Sequence, residues 1–554
     1  MENEEISKTE KIIEKREKKL FDWFKNKYNL ALFLLIAFTV LYRLYYFILT
    51  KNQPLWWDEA DYMNLARRFA FGTYYTVDPA RQVLFSFITS IFFRISNTEF
   101  LPRLLLVVLS ISSVIGVYFL GKEMYDKKVG LIAGIFMSVF YMNMFFSYRL
   151  INDVPSLAFF TFSAYFFYRY FKTNSSKMLY IASILIGIGT LFKLTTASLL
   201  FVVLFYLLVT EKLRFLKKKE IWIAALIFVL ILAPYIIWGY TEYHGFVILK
   251  AQETIVNLTP GKNILSTWPG VMGSYINMLP WYLFSTTSQL YWFISLVIIF
   301  GLIALIAYRF VIGFDILLKD DKEKPNELRR DFYLILLLVV HFVLASLLIT
   351  HNEDRYILNS FPALFILFGI FIFKAYDYFD KKKLKAIGVI LILVLLGFFC
   401  YLQIKQSDST IVSKVNSYAE VRDTAYWLRD NTNSTDVIIS SSAFQVRYYS
   451  MRDTYLFPDT VDLLNKFIQE KHPKYYMVSV FEGQPDYGDE KTPEAAQKSY
   501  QVLNNFTLVR AYFADAARTQ WFLKVYQIPQ GFNPMSKTTQ SKIQPVSIAN
   551  KSKN

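Results

Sequence analysis

The chain has 554 residues, of which 54% are hydrophobic and 18% aromatic, and its formal net charge is +16. This composition is too apolar for an ordinary soluble protein, and a single cysteine, Cys400, excludes an intrachain disulfide and a cysteine metal cluster. The basic residues form short clusters between apolar runs, not the single patch that would indicate nucleic-acid binding.

Long apolar runs from residue 29 to about residue 403 predict a polytopic α-helical membrane protein. Residues 1–28 are rich in Lys and Glu, lack a signal-peptide pattern and are predicted to form a cytoplasmic tail. We expect about 11 spans in a membrane domain of residues 29–404. The predicted spans are 29–49, 103–120, 129–148, 154–170, 178–193, 195–210, 221–238, 289–311, 332–350, 356–373 and 385–403.

Loop charge predicts the sidedness of these spans, because short basic loops stay in the cytoplasm. The run at residues 82–95 is short for a span, and counting it as one would place the basic loop Lys122–Lys128 outside. We therefore predict a helix in the outer interface, within an outer-face loop of residues 50–102. The same count puts the 239–288 loop and the C-terminus on the outer face.

The composition changes after the last predicted span. Residues 405–530 combine short β-rich runs with helix-like stretches, which predicts a small extracytoplasmic α/β domain. Residues 531–554 are polar and are predicted to be disordered. The expected strands are Val437–Ser440, Tyr475–Val480, Thr507–Phe513 and Trp521–Ile528, and the expected helices are 417–430, 461–471 and 493–504.

Acidic residues lie at the outer ends of predicted spans. Asp58 and Glu59 are adjacent in the first outer loop, and Asp153 follows a later span. Carboxylates at the ends of membrane helices are costly and mark functional sites, and a carboxylate can take the proton of an acceptor hydroxyl as general base. These three are the candidate catalytic residues. Sequence alone does not separate Glu59 from Asp58 as the base.

Cationic residues share the predicted outer face with these acids. Lys193 ends one span, Arg355 opens another, and Arg81 precedes the interfacial helix. Lys and Arg can hold a phosphate and stabilise charge on it as it leaves. We assign these three residues, with Tyr62 and Tyr356, to a donor-phosphate site.

The same residues allow other roles. Asp58 and Asp153, if they face one another, can hold Mg²⁺ or Mn²⁺ through oxygen ligands, so a divalent cation is a candidate cofactor. Lys193 and Arg355 can be cations that snorkel at helix ends. Asp153 precedes Pro155 at a predicted helix start and can be a helix cap.

The sequence around these residues resembles a known family. The run Asp58–Arg67 resembles the first-loop signature of lipid-linked-sugar glycosyltransferases with the GT-C fold, most similar to the protein O-mannosyltransferase and aminoarabinose transferase-like group. Arg149–Leu157 resembles the second acidic motif of that group, and Arg355–Leu358 resembles a later one. The resemblance covers about residues 29–375.

The resemblance implies inverting sugar transfer from a polyprenyl-phosphate donor on the extracytoplasmic face. The first-loop Asp of the family falls on Asp58, the implied base, and the second on Asp153. Its basic residue before the interfacial helix falls on Arg81, although Gln82-Val83 replace the usual prolines. The aminoarabinose transferases have an Arg where this chain has Asp61, so the resemblance does not identify the donor sugar of this chain.

These observations predict a multi-pass plasma-membrane glycosyltransferase, a hexosyl- or pentosyltransferase of the EC 2.4 class. Its expected partners are a dolichyl- or undecaprenyl-phosphate sugar, a glycan, lipid or protein acceptor, and the bilayer, with no nucleic acid. The alternative is a transporter or flippase of lipid-linked saccharides. Transporters place charges near the bilayer midplane and contain inverted repeats. Here the charges lie at helix ends and no repeat is visible, which favours the enzyme.

Overall fold

A computed structural model describes residue 18 and residues 22–247, 249–250, 264–284, 326–348, 353–482, 503–513, 517–518 and 520–529. The chain forms two compact units, Met1–Asn52 with Leu65–Val415, and Gln53–Asn64 with Asn416–Asn554. This division differs from the predicted domain limits, because the first-loop residues 53–64 group with the C-terminal residues. The predicted helix 493–504, except its end, and the tail 531–554 lie outside the described residues.

The first unit is helical throughout the part that the structure describes. Its α-helices are Lys27–Thr50, Leu84–Ile95, Phe100–Met124, Lys127–Val139, Tyr141–Phe146, Asp153–Thr173, Ser176–Phe192, Ser198–Glu211, Lys219–Tyr243, Ile264–Phe284, Asn326–Leu348, Phe361–Lys381 and Lys385–Lys414. Short 3₁₀ helices cover Leu194–Ala197, Lys212–Lys217 and Asp354–Ser360. The helix Trp57–Phe71 begins in the second unit and ends in the first.

Seven helices among the described residues are long and apolar enough to cross a membrane, which confirms a polytopic helical membrane protein. Six of them contain the predicted spans that begin at residues 29, 103, 195, 221, 356 and 385, and the seventh, Glu327–Leu347, covers most of the predicted span 332–350. The predicted span 129–148 is instead two helices, which break at Phe140. Ser176–Phe192 is apolar but has 17 residues, and the predicted span 289–311 lies outside the described residues. The total of about 11 spans stays a prediction.

The predicted outer loop 239–288 contains a helix that the sequence analysis missed. Ile264–Phe284 is 21 residues long, and it buries Tyr275 and Tyr282. The Tyr275 hydroxyl donates a hydrogen bond to the carbonyl of Glu353 at 3.1 Å. The Tyr282 hydroxyl donates to the carboxylate of Asp354 at 2.9 Å. The helix therefore holds the chain immediately before Arg355.

The helix Leu84–Ile95 has the features expected of an interfacial segment. It has 12 residues, which is too short to cross a bilayer. Phe87, Ile91 and Ile95 are exposed on one side, whereas Ser86 and Thr89 are buried against the rest of the unit. The exposed apolar side matches a helix that lies along a membrane surface, although that placement stays a prediction.

Arginines provide polar contacts inside the helical unit. Arg43 is fully buried, and its guanidinium donates to the Ser110 hydroxyl at 2.7 Å and to the Ser138 carbonyl at 3.1 Å. Arg103 is also buried and donates to the Tyr148 carbonyl at 2.7 Å. Buried cations need such partners, because an unpaired charge away from water is strongly destabilising. These arginines are structural parts of the helix packing.

The second unit contains a five-stranded sheet with the order β2-β1-β3-β5-β4. The strands are Val437–Ser440 (β1), Asp453–Tyr455 (β2), Tyr475–Ser479 (β3), Thr507–Phe513 (β4) and Trp521–Gln527 (β5). β1 is parallel to β2 and β3, whereas β5 is antiparallel to β3 and β4. The helices are Ala419–Asn431, Ala443–Ser450 and Val461–Lys471. The small α/β domain is confirmed, with β2 and the helix Ala443–Ser450 as elements that the sequence analysis missed.

Candidate active site

The helical unit brings together Asp153, Lys193 and Arg355 from segments far apart in the chain. The carboxylate of Asp153 forms an ion pair with the Lys193 ammonium, and its second oxygen lies 3.9 Å from the Arg355 guanidinium. Asp153 is almost fully buried, with 4% of its side chain exposed, while each cation is 15% exposed. Three residues that the sequence analysis selected separately therefore form one charged cluster.

Helix ends explain why this acid and this lysine meet. Asp153 is the first residue of the helix Asp153–Thr173, and Lys193 directly follows the end of Ser176–Phe192. Only two residues join these helices, so the start of one lies beside the end of the next. A helix dipole favours an acid at the N-terminus and a cation at the C-terminus. Asn152, not Asp153, occupies the N-cap position, which corrects the interpretation of Asp153 as a cap.

The ring of Tyr356 lies against both cations. The Lys193 ammonium is 4.7 Å from the centre of the ring, and the Arg355 guanidinium carbon is 5.5 Å from it. Cation–π contacts at these distances are attractive and hold the charged groups in place. Glu353 also pairs with the guanidinium of Arg355. Tyr356 thus lies in the charged cluster, where its ring contacts both cations, and its function at phosphate stays a prediction.

A polar network that the sequence analysis missed supports this cluster. His341 is fully buried, and its two ring nitrogens lie 2.7 Å from the Ser198 hydroxyl and 3.3 Å from the Tyr356 carbonyl. The amide of Asn359 donates to the Ser156 hydroxyl at 3.0 Å. These contacts fix the backbone on either side of the charged residues. One signal in the sequence was a histidine inside an otherwise apolar span.

The charges of the cluster determine what it can bind. Lys193 and Arg355 carry two positive charges, and Asp153 and Glu353 carry two negative ones, so the cluster is neutral as it stands. A phosphate that binds here would compete with the carboxylates for the two cations. Glu353 is the more exposed acid, with 37% of its side chain accessible, against 4% for Asp153. Exchange of Glu353 for a phosphate at Arg355 is the less costly change.

The other predicted site residues lie at the start of the helix Trp57–Phe71. Asp58 is partly buried, whereas Glu59 is 1% exposed and Tyr62 is 6% exposed. The carboxylate of Glu59 accepts a hydrogen bond from the backbone N–H of Trp56 at 2.7 Å. This geometry is one half of a capping box, in which an acid in the first helical turn binds the N-cap amide. Glu59 therefore bonds to the start of its own helix. Which of the two adjacent acids acts as the base stays a prediction.

Asp58 and its neighbours belong to the second unit, with the C-terminal domain. The hydroxyl of Tyr449 accepts a hydrogen bond from the Leu55 N–H at 2.9 Å. The amide of Asn64 donates to the Phe444 carbonyl at 2.9 Å, and the ring of Phe444 lies 4.6 Å from that of Trp57. The C-terminal helix Ala443–Ser450 therefore holds the first-loop residues on both sides of Asp58.

Two of the predicted assignments receive no support from these contacts. Arg81 lies in a turn before the helix Leu84–Ile95, where its N–H donates to the Asp78 carbonyl at 3.0 Å, and its function at phosphate stays a prediction. The oxygens of Asp153 face cations, a set of partners that does not fit a metal ion. Among the described residues no group of three or more His, Cys, Asp or Glu side chains is placed to hold a metal.

Comparisons with known proteins support the resemblance that the sequence motifs indicated. A family model described as dolichyl-phosphate-mannose-protein mannosyltransferase matches residues 80–238, which include Asp153 and Lys193. A search of curated protein sequences finds no match. The family match covers less than a third of the chain.

Solved structures share the fold over most of the chain. ArnT from Cupriavidus metallidurans bound to undecaprenyl phosphate is 12% identical, with a TM-score of 0.59, and the alignment covers 89% of this chain and 97% of that one. The oligosaccharyltransferase of Archaeoglobus fulgidus in the apo form is 12% identical, with a TM-score of 0.57, covering 93% of this chain and 76% of that one.

The archaeal oligosaccharyltransferase AglB from Archaeoglobus fulgidus, in complex with an inhibitory peptide and a dolichol-phosphate, is 13% identical with a TM-score of 0.50. That alignment covers 92% of this chain and 75% of that one. Together these likenesses confirm the GT-C fold. The prediction of a glycosyltransferase that resembles the lipid-phosphate group agrees with the family match and with the fold.

Proposed function

We propose that this protein is a membrane glycosyltransferase that moves a sugar from a polyprenyl-phosphate donor to an acceptor hydroxyl. The observation that carries the proposal is the cluster of Lys193, Arg355 and Tyr356 around the buried Asp153. Two cations held at helix ends suit the phosphate of a membrane lipid. ArnT and the archaeal enzyme, which share the fold, are described with undecaprenyl phosphate and dolichol-phosphate respectively.

In the proposed reaction the phosphate of the donor replaces Glu353 as the partner of Arg355 and also contacts Lys193. The acceptor oxygen forms a bond to the anomeric carbon while the bond from that carbon to the phosphate oxygen breaks. The electron pair leaves on the phosphate, where the two cations stabilise the added charge. Attack opposite the leaving group inverts the anomeric configuration.

Asp58 is the proposed general base of this reaction. Its carboxylate takes the proton of the acceptor hydroxyl as the new bond forms. Glu59 is engaged with the backbone of Trp56, which supports the choice between the two adjacent acids. The lysine and arginine hold the phosphate in this proposal, and no step of it is assigned to a metal ion.

The decisive test compares lipid-linked sugars and surface glycans in membranes with and without this gene by mass spectrometry. If the protein is a glycosyltransferase, deletion of the gene should make the polyprenyl-phosphate sugar accumulate and should remove a single sugar residue from one glycan. Purified protein should then transfer radiolabelled sugar from that lipid. If the purified protein only moves the lipid-linked sugar across a vesicle bilayer without consuming it, the proposal is wrong and the chain is a flippase.

A further inference from the structure

The sheet of the second unit has a topological switch point between β1 and β3, where the connections that follow the two strands lead to opposite sides. From β1 the chain passes through the helix Ala443–Ser450 to β2 on one side, and from β2 through Val461–Lys471 to β3 on the other. The three strands are parallel, so their carboxyl ends lie along the same edge. In open α/β sheets, ligands bind outside the carboxyl ends of the strands at such a switch point.

Polar residues occupy this edge. Ser440 is the last residue of β1, and Ser441 and Ser442 follow it. All three are buried, as is Ser479 at the end of β3. The Ser442 and Ser479 hydroxyls lie 3.2 Å apart, and Ser441 accepts a hydrogen bond from the N–H of Ser479 at 3.0 Å. These contacts join the two strand ends and fix the segments that follow them.

Glu482 is the acid that follows β3 at this edge, and it lies within electrostatic reach of Asp58. Its carboxylate accepts hydrogen bonds from the Gln445 amide at 3.3 Å and from the Tyr418 hydroxyl. Trp57, next to Asp58, packs on Phe444, next to Gln445. The helix Ala443–Ser450 thus contacts Trp57, the neighbour of Asp58, and Glu482 through two consecutive residues.

Two further features point to a ligand at this position. Gln445 is fully buried, and its amide oxygen has no hydrogen-bond partner in the part of the chain that the structure describes. A buried acceptor without a partner is costly, and a hydroxyl donor from a ligand would satisfy it. Tyr418 has a φ of +69°, a backbone conformation that is rare for a bulky residue and that is found at functional sites.

Aromatic rings stand beside these polar groups. The Tyr418 and Phe481 rings are 5.0 Å apart, and Phe481 is 38% exposed. A sugar presents hydroxyls together with an apolar C–H face, so it matches a carboxylate and an amide set beside aromatic rings. A peptide hydroxyl offers a single donor and has no such face.

We infer that this carboxyl edge is the acceptor subsite of the transferase and that the acceptor is a saccharide, bound by Glu482, Gln445 and Tyr418 next to Asp58. The inference rests on the proposed function, because it takes Asp58 as the base. Glu482 accepts hydrogen bonds from two hydroxyls of the acceptor sugar, and Gln445 accepts a third. The C-terminal domain then has a direct function in the transfer reaction.

Binding of sugars tests the inference without requiring turnover. The full chain in lipid nanodiscs is mixed with methyl α-mannopyranoside or methyl β-glucopyranoside, and saturation-transfer NMR reports the bound sugar. At pH 8, where most of the Glu482 carboxyl is ionised, Glu482→Gln should weaken binding by about tenfold or more, since it removes charge-assisted hydrogen bonds. Tyr418→Phe removes one hydroxyl and should weaken binding less. Glu470→Gln, an exposed acid on another helix of the domain, should bind as the wild type does.

A transfer assay on the same preparations separates this inference from the proposed function. The donors are dolichyl-phosphate mannose and its undecaprenyl counterpart, and the acceptors are these glycosides and a Ser/Thr peptide. Glu482→Gln should raise the KM for the glycoside while the hydrolysis of the donor by water is retained. If the protein transfers sugar to the peptide but binds neither glycoside, the inference is wrong and the proposed glycosyltransferase activity stands. If sugar binding depends on Glu482 but the protein neither transfers the sugar nor hydrolyses the donor, the inferred subsite stands and the proposed glycosyltransferase activity is wrong.

Equal sugar binding by the wild type and Glu482→Gln also overturns the inference. The absence of both sugar binding and transfer overturns both proposals. The thermal unfolding of each variant is measured alongside. If Glu482→Gln loses sugar binding and its Tm falls strongly, while Tyr418→Phe shows neither change, the Glu482 carboxylate is purely structural.

Discussion

The carboxylate of Glu59 accepts a hydrogen bond from the backbone N–H of Trp56 at 2.7 Å. Asp58, the next residue towards the N-terminus, lies instead within reach of the charge on Glu482. Two adjacent acids at the start of one helix therefore have different surroundings. One is committed to the helix end, and the other lies beside residues of the C-terminal domain.

Asp58→Asn should slow single-turnover transfer by about 10²–10⁴-fold, the usual contribution of a general base. The amide is nearly isosteric, so thermal stability and donor affinity should change little. Glu59→Gln should instead lower Tm with a smaller effect on the rate, because it weakens a helix cap. Rapid-quench kinetics and an assay of the product anomer decide between them. If Asp58→Asn transfers sugar at the wild-type rate and Glu59→Gln is inactive, the base is Glu59. If the product retains the anomeric configuration of the donor, the reaction is not a single displacement.

Arg355→Ala and Lys193→Ala should each weaken binding of the polyprenyl-phosphate donor by about tenfold to a hundredfold, since a hydrogen bond to a charged group contributes roughly 1.5–3 kcal/mol. Glu353→Gln is the matched opposite change, because it removes the acid that competes with phosphate for Arg355. It should tighten donor binding. Equilibrium binding of a fluorescent polyprenyl phosphate measures all three. Wild-type affinity in both alanine variants would show that the cations only support the helix ends.

Sequence analysis predicted the charged cluster because its residues end or begin apolar spans. Loop charge put Asp153, Lys193 and Arg355 on one face, and the order of the helices then brings them together. The break at Phe140 was missed because it depends on packing. The helix Ile264–Phe284 was missed because Pro269, Gly270, Gly273 and Pro280 interrupt its apolar run.

The surroundings of Asp58 were beyond any pattern in the sequence. The partner of Asn64 lies 380 residues further along the chain, and contacts at that separation follow from tertiary packing alone. Glu482 likewise stands in no motif that marks it as a neighbour of the first loop. Local propensity and hydrophobic period describe segments, whereas a site built from distant loops needs the fold.

Helix packing gives a prediction about stability. A methyl group on Gly130 would lie 2.6 Å from the carbonyl oxygen of Tyr118 and 2.9 Å from the N of Lys122. Both are backbone atoms and cannot move aside, so Gly130→Ala should force the helices apart and lower Tm by several degrees. Gly397→Ala is the control, because nothing lies within 4 Å of its added carbon. Thermal unfolding in detergent measures both, and equal Tm values would contradict the close packing.

Sidedness can be tested with single cysteines in a Cys400→Ser background. Asn64 is a poor position for a label, because its side chain is buried and bonded to the Phe444 carbonyl. Cysteines at the exposed Lys51 and Glu470 should react with a membrane-impermeant maleimide in intact cells, whereas one at the exposed Lys217 should not. Labelling at Lys217 with protection of the other two would place the proposed site in the cytoplasm.

The pH dependence of stability should depend on Glu482. Burial raises the pKa of this carboxyl from 4.5 to about 7, the hydrogen bonds from Gln445 and Tyr418 oppose the rise, and the charge of Asp58 adds to it. The folded protein therefore holds this proton more tightly than the unfolded chain does. The associated stabilisation is complete below about pH 4.5 and is lost as the pH rises through 7.

Between pH 5 and pH 8 the Tm of the wild type should fall by more than that of Glu482→Gln, which cannot ionise at this position. Glu470→Gln, which removes an exposed acid of the same domain, should keep the wild-type slope. Differential scanning fluorimetry of the three proteins at one ionic strength measures these slopes. If Glu482→Gln and the wild type lose the same Tm over this range, Glu482 is already ionised in the folded protein and does not share its surroundings with a charged Asp58.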